Sequence, residues 1–92
     1  MPYILKINRA KYDKAINQIV ERLCDEDDED DVPGRINYVL FSIVFRYLKR
    51  HGIRYYVLNG IMGAIECCKQ ELYRRVIGPY ENKAIEKNGD VE

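Results

Sequence analysis

Ile65-Glu66-Cys67-Cys68-Lys69-Gln70-Glu71-Leu72-Tyr73-Arg74-Arg75 places apolar residues three and four apart, at Ile65, Cys68 and Leu72, with charged and amide side chains between them. Residues at that interval share one face of an α-helix, so the stretch reads as a helix with a single apolar stripe. Upstream the stripe takes in Leu58 and Ile61, and downstream it reaches Val76, which predicts a helix from Tyr55 to Ile77. Gly78 reads as its end, and Pro79 as the first turn of a short fourth helix reaching Lys87. Asn88-Gly89 then closes the chain's last helix, with a loose tail over 88–92. Along another face of the third helix run Asn59, Gly63, Glu66, Gln70 and Arg74. Gly63 costs roughly 1 kcal/mol against Ala at an exposed helical position, which points to something approaching the backbone there.

Two further helices precede this one. Tyr12, Ala15, Ile16, Ile19, Val20 and Leu23 recur at helical spacing and predict a helix from Arg9 to Cys24, with Asn8 as its N-cap. The acidic run Asp25 to Asp31 and the following Val32-Pro33-Gly34 read as one loop over 25–34, because the residue before a proline is pushed out of the helical region and glycine relaxes a turn. The second helix, Arg35 to His51, has Ile36, Val39, Leu40, Ile43, Val44, Tyr47 and Leu48 on one stripe and Tyr38, Phe41 and Phe45 on another. Only Ser42, Arg46, Lys49 and Arg50 read as wet. A helix apolar on so many sides, in a chain with few elements to surround it, is shared with a partner, and Tyr38, Phe41 and Phe45 are the candidate oligomer interface. Gly52 is its terminator.

Ninety-two residues close a single core, so the chain reads as one domain, 1–92. Hydrophobic residues make up 47% and charged ones 33%, which fits a folded globular protein and not a disordered one. The formal net charge is zero, but seven of the fifteen acids lie in the run Asp25 to Asp31, so the rest of the chain is basic. Such a block of like charge reads as a solvated loop. Cys24, Cys67 and Cys68 are odd in number, and two adjacent helical positions point about 100° apart, so no disulfide framework is indicated. No signal-like or membrane-length apolar segment is read, and the setting expected is cytoplasmic.

Met1-Pro2-Tyr3-Ile4, Asn37-Tyr38, Arg54-Tyr55, Asn59, Gly63, Glu66-Cys67, Glu71-x-Tyr73-Arg74-Arg75, Pro79-Tyr80-Glu81, Lys83 and Asn88-Gly89-Asp90-Val91 together carry a resemblance. The chain resembles a family of short proteins of unknown function found mainly in phages and prokaryotic genomes, whose members open with Met-Pro-Tyr-Ile and close with Asn-Gly-Asp-Val. The match covers both ends and the helical middle. The acidic run departs from it, since the family has a shorter and less acidic link before Asn-Tyr. The resemblance implies a compact α-helical protein, of a kind carried by phages, and no particular reaction.

The residues offer no catalytic set. Glu66, Glu71, Glu81, Glu86 and Asp90 raise the reading of a Mg²⁺-dependent nucleotide pyrophosphohydrolase, which holds its metal on Glu-x-x-Glu and Glu-x-x-Asp pairs. Here Glu66 is followed three on by Lys69, Glu71 by Arg74 and Glu81 by Ala84. Glu71 with Arg75, and Glu66 with Gln70, stand four apart and read as helix-surface pairs. The acidic run lacks the glycine and the terminal Glu of a calcium-binding loop. His51 reads as a helix C-terminal residue, the cysteines lack zinc spacing, and no glycine-rich phosphate loop is present. No metal or cofactor is predicted.

Eight tyrosines include several beside arginines, as in Arg54-Tyr55-Tyr56 and Tyr73-Arg74-Arg75. Tyrosine faces stack bases and arginine pairs with phosphate, although the same residues also serve as amphipathic packing. Arg46, Lys49, Arg50, His51 and Arg54 give nucleic-acid binding some electrostatic basis, weaker than the basic footprint such proteins carry. The sequence reading is therefore an all-α protein of three main helices plus a short C-terminal one, a bundle assembled as a homodimer or higher oligomer. Its role reads as non-enzymatic binding, as in a phage accessory protein, of a protein partner or a small anionic or nucleotide ligand. The candidate ligand residues are Arg54, Tyr55, Asn59, Glu66, Tyr73, Arg74 and Tyr80. The alternatives are the Mg²⁺-dependent hydrolase and a nucleic-acid binder.

Overall fold

The structure is a computed structural model, and it describes residues 4–25 and 29–92. Every regular element among these residues is helical, and no strand occurs among them. The chain divides into two compact units, Met1–Ile53 and Arg54–Glu92, which are taken in turn.

The first unit begins with a 3-10 turn over Lys6–Asn8 and continues into α1, Ala10–Cys24. Asn8 is not the N-cap. Its backbone N–H donates to the Leu5 carbonyl at 2.9 Å within the 3-10 turn, and Arg9 becomes the residue at the helix entrance. The Arg9 carbonyl accepts the N–H groups of Tyr12 and Asp13, while its Nε donates to the Ile4 carbonyl at 3.2 Å. A backbone turn thus does here what a capping side chain does elsewhere.

The loop read over 25–34 is shorter than its composition implied. Glu29–Asp31 form a second 3-10 turn and α2 runs over Val32–His51, three residues earlier than the spacing indicated; Glu26, Asp27 and Asp28 lie outside the described residues. Pro33 sits in the first turn of α2, where its missing N–H would have had no partner in any case. Gly34 follows it in the helix, and Arg35 reaches back to Asp31 at 3.7 Å. Proline was read as a stop when it is a start.

Of the expected stripe of α2, Val39 and Val44 are half-buried and Leu48 is buried, and the line that faces α1 runs along one edge of it. Val32, Arg35, Val39 and Ser42 are half-buried, and Ile19 and Leu23 of α1 face Arg35 and Val39 across an open groove. Ser42, read as wet, belongs to this inner line. On one side of it Ile36, Leu40, Ile43 and Tyr47 stand between 43% and 57% exposed, and on the other Tyr38, Phe41 and Phe45 between 43% and 65%. Leu48, 8% exposed, is the one buried residue among those described. Gly52 ends α2 as expected, with φ +104° and its N–H on the Leu48 carbonyl at 2.8 Å.

In the second unit, Arg54 is extended and its carbonyl accepts the Leu58 N–H at 2.9 Å, opening α3, Tyr55–Leu72. The helix does not stop at Gly78. A π-turn over Tyr73–Ile77 leads without a break into α4, Gly78–Asn88. Gly78 has helical angles, φ −57° and ψ −53°, and its N–H donates to the carbonyl of Tyr73, five residues back. This wider turn lies just ahead of Pro79, whose ring would press on the carbonyl four residues back and which has no N–H to give the ladder. The π-turn lets the helix continue through the proline. A Cβ on Gly78 would lie 3.3 Å from the Tyr73 carbonyl oxygen, so the bare glycine fits this tight crossing. Gly89, φ +87°, closes α4 with its N–H on the Ile85 carbonyl at 2.8 Å.

The two glycines of α2 give opposite expectations. Gly52→Ala places a side chain in a region of φ that only glycine occupies freely and lowers stability by about 1–3 kcal/mol. Gly34→Ala adds a Cβ in ordinary contact, 3.6 Å from Asp31 Oδ1, and is neutral or slightly stabilising. Urea unfolding at one fixed protein concentration measures both, and an equal effect of the two changes would contradict this reading of the helix end.

Candidate functional site

The seven residues singled out for ligand binding all fall in the second unit, along one helical run. Arg54 precedes α3; Tyr55, Asn59 and Glu66 belong to α3, Tyr73 and Arg74 to the π-turn, and Tyr80 to α4. At 1.5 Å per residue they extend over about 40 Å. The helical period sorts them into different faces. Tyr55, Asn59, Glu66 and Tyr73, spaced by four, seven and seven, share one face, whereas Arg74 lies about 100° away.

Local pairing has already engaged most of the polar groups. Gln70 Nε2 donates to Glu66 Oε1 at 3.3 Å, and Lys69 Nζ stands 3.6 Å from the same oxygen. The Glu71 carboxylate, 18% exposed, accepts from both Arg74 Nη2 and Arg75 Nε. The pairs Glu71–Arg75 and Glu66–Gln70 are those that the four-residue spacing indicated. The addition is Arg74, which shares the carboxylate instead of standing ready for an anion. Exposed pairs of this kind contribute little each, but Glu71 ties the last turn of α3 to the π-turn at two points.

Tyr73 is anchored across the π-turn. Its hydroxyl donates to Glu81 Oε2 at 3.1 Å, eight residues on. In an uninterrupted α-helix, residues eight apart have rotated about 80° from each other; the π-turn absorbs one residue and brings the pair onto a common face. The hydrogen bond to Glu81, and then the negative charge of that carboxylate, raise the Tyr73 phenol above its ordinary value. Spacing on an uninterrupted α-helix gives Glu81 no link to Tyr73. The clue was present in the apolar series Leu72, Val76, Tyr80, Ala84, which steps by four throughout and so drifts off an α-helical stripe.

Tyr55 and Tyr80, 84% and 74% exposed, stand in solvent. Gly63 was expected to meet a close neighbour, but a Cβ there would find nothing within 4 Å, and the same holds for Gly60. The interface candidates in the first unit form a ladder on α2: the Phe41 and Phe45 rings stack with centroids 5.4 Å apart and planes 15° from parallel, and Lys49 Nζ lies 5.3 Å from the Phe45 centroid. The open groove of about 640 Å³ between α1 and α2, lined by Ile19, Arg22, Leu23, Asp31, Arg35, Tyr38 and their neighbours, was not read from the sequence. Among the described residues, no three His, Cys, Asp or Glu side chains gather closely enough to hold a metal ion, and no helix is long and apolar enough to cross a membrane.

A small helical chain with exposed apolar rows and self-paired charges defines a structural class but no reaction. The chain belongs to the family described as Domain of unknown function (DUF6899), whose model matches residues 1–91. No curated protein and no solved structure matches it.

The Tyr73–Glu81 bond has a signed consequence for pH. Because the folded phenol is raised, its contribution to stability is present below the unfolded tyrosine value of about 10 and is lost as pH rises through the higher folded value. In a phenolate absorbance titration, Glu81→Gln is expected to shift the Tyr73 transition to lower pH. An unchanged titration curve in Glu81→Gln would contradict the assignment.

Proposed function

We propose that the protein is a non-enzymatic, self-associating helical binding protein, and that its assembled form is the working unit. The observation that carries this reading is the pair of apolar rows left open on α2, Ile36–Leu40–Ile43–Tyr47 and Tyr38–Phe41–Phe45, on either side of the line that faces α1. Exposed apolar side chains grouped in rows on a helix mark interaction surfaces more often than free solvent-facing ones, and each row presents large side chains to a partner. The stacked rings of Phe41 and Phe45 make a broad, pre-ordered plate that loses little rotational freedom on contact.

For the partner, an extended protein contact is favoured over a small anion. The tyrosine and polar face runs along about 40 Å of the α3–α4 run, and the arginine expected to meet a phosphate is already shared with Glu71. Tyr55, 84% exposed, stands on that face as a contact residue of the kind enriched in protein interfaces. The exposed thiols Cys24, Cys67 and Cys68, none in a disulfide, fit a reducing compartment.

Light scattering coupled to size-exclusion chromatography tests the reading. The wild-type chain is expected to elute as a dimer or larger species, and Phe41→Asp to weaken that species at least about thirty-fold, the cost of losing a central anchor. A wild-type protein that stays monomeric at 100-fold dilution and at its highest concentration alike would defeat the proposal.

A further inference from the structure

The π-turn changes which residues share the apolar face of the second unit. In a continuous α-helix the stripe Leu58, Ile61, Ile65, Cys68, Leu72 would pass next through Arg75 and Pro79, a cation and a ring without an N–H. The π-turn over Tyr73–Ile77 takes up one extra residue, so the same line passes instead through Val76 and Tyr80, with Ala84 a turn further on and Ile77 beside it. The stripe thereby runs the length of α3 and α4.

A single helical run cannot cover its own stripe. Ile65, Leu72 and Val76 are 48%, 54% and 56% exposed, and Tyr80 is 74% exposed. The run Tyr55–Asn88 is about 50 Å long at 1.5 Å per residue, and helices pack 8–10 Å apart. A contact of that length and about 10 Å width covers on the order of 500 Å² in projection and more in accessible area, comparable to one partner's share of a specific interface. Alternating steps of three and four from Leu58 to Leu72 are the spacing by which one helix receives the side chains of another with the same spacing. Each copy of the chain carries that helix, so the surface is its own complement.

We infer that the continuous stripe from Leu58 to Ala84 pairs with the same stripe of a second copy, and that the π-turn serves to hold its α4 portion in register with its α3 portion. This rests on the self-association proposed above and adds a second surface to the α2 rows. Glu71 with Arg74 and Arg75, and Tyr73 with Glu81, flank the stripe on the polar side and clasp the turn from outside. The Glu71 pairs hold α3 to the turn, and the Tyr73–Glu81 hydrogen bond carries the link on to α4.

The test compares four forms of the full chain by sedimentation velocity and circular dichroism: wild type, Leu72→Asp, Phe41→Asp, and a deletion of Arg74 that removes the extra residue. Leu72→Asp is expected to raise the dissociation constant at least about thirty-fold. The deletion is expected to keep the helical signal while weakening assembly to a similar degree, because α4 rotates its apolar residues away from the seam. If the deletion variant does not fold, Leu72→Asp alone decides. Assembly that survives Leu72→Asp but fails in Phe41→Asp overturns this inference and leaves the α2 reading standing. A monomeric wild type overturns both.

Discussion

An amphipathic helix is stable only when its apolar stripe lies against something, because the favourable term is the removal of apolar surface from water and helices gain little from their backbone alone. Here the elements are few. Within the first unit α1 meets the mixed line Val32, Arg35, Val39 and Ser42 of α2, while Ile36, Leu40, Ile43 and Tyr47 on one side, and Tyr38, Phe41 and Phe45 on the other, remain open. Within the second unit, α3 and α4 form a single run with no neighbour of its own. The abundance of large apolar side chains is then out of proportion to what each unit buries by itself, and this is the ground of the self-association proposed above.

The π-turn follows from the same constraint. Pro79 obstructs an α-helical ladder, and the chain could have ended its helix there. It keeps helical angles through Gly78, whose missing side chain permits the close Tyr73 carbonyl, and adds one residue to the turn. The apolar stripe and the polar face are both re-registered by that residue. Tyr73 meets Glu81 on one side of the helix, and Val76 and Tyr80 continue the stripe on the other. Local geometry, ion pairing and the proposed assembly surface thus depend on one backbone feature.

Much of this was legible in the residues. The three long helices, the glycine stops at Gly52 and Gly89, and the Glu71–Arg75 and Glu66–Gln70 pairs all follow from periodicity and short-range chemistry. What escaped did so for definable reasons. Pro33 and Gly34 are breakers inside a helix, but proline is at home in a first helical turn. Asn8 was chosen as a cap by residue type, yet a 3-10 turn had already committed its backbone. Gly78-Pro79 looked like a boundary because each residue alone favours one, and only the repeated four-residue steps from Leu72 to Ala84 carried the signal for a π-turn. The seven candidate ligand residues extend along about 40 Å of one helical run, with Arg74 turned to Glu71. Family membership supplies no activity to set against that geometry.

The central claim is that folding is completed by association, and the most direct measurement is the thermal unfolding midpoint as a function of protein concentration. When unfolding releases separate chains, mass action makes the midpoint rise with concentration. The account predicts a steady rise over a 100-fold concentration range, followed by the helical signal in circular dichroism. A sharp, reversible midpoint that does not move across that range would contradict it, since the chain would then be burying its apolar rows unaided.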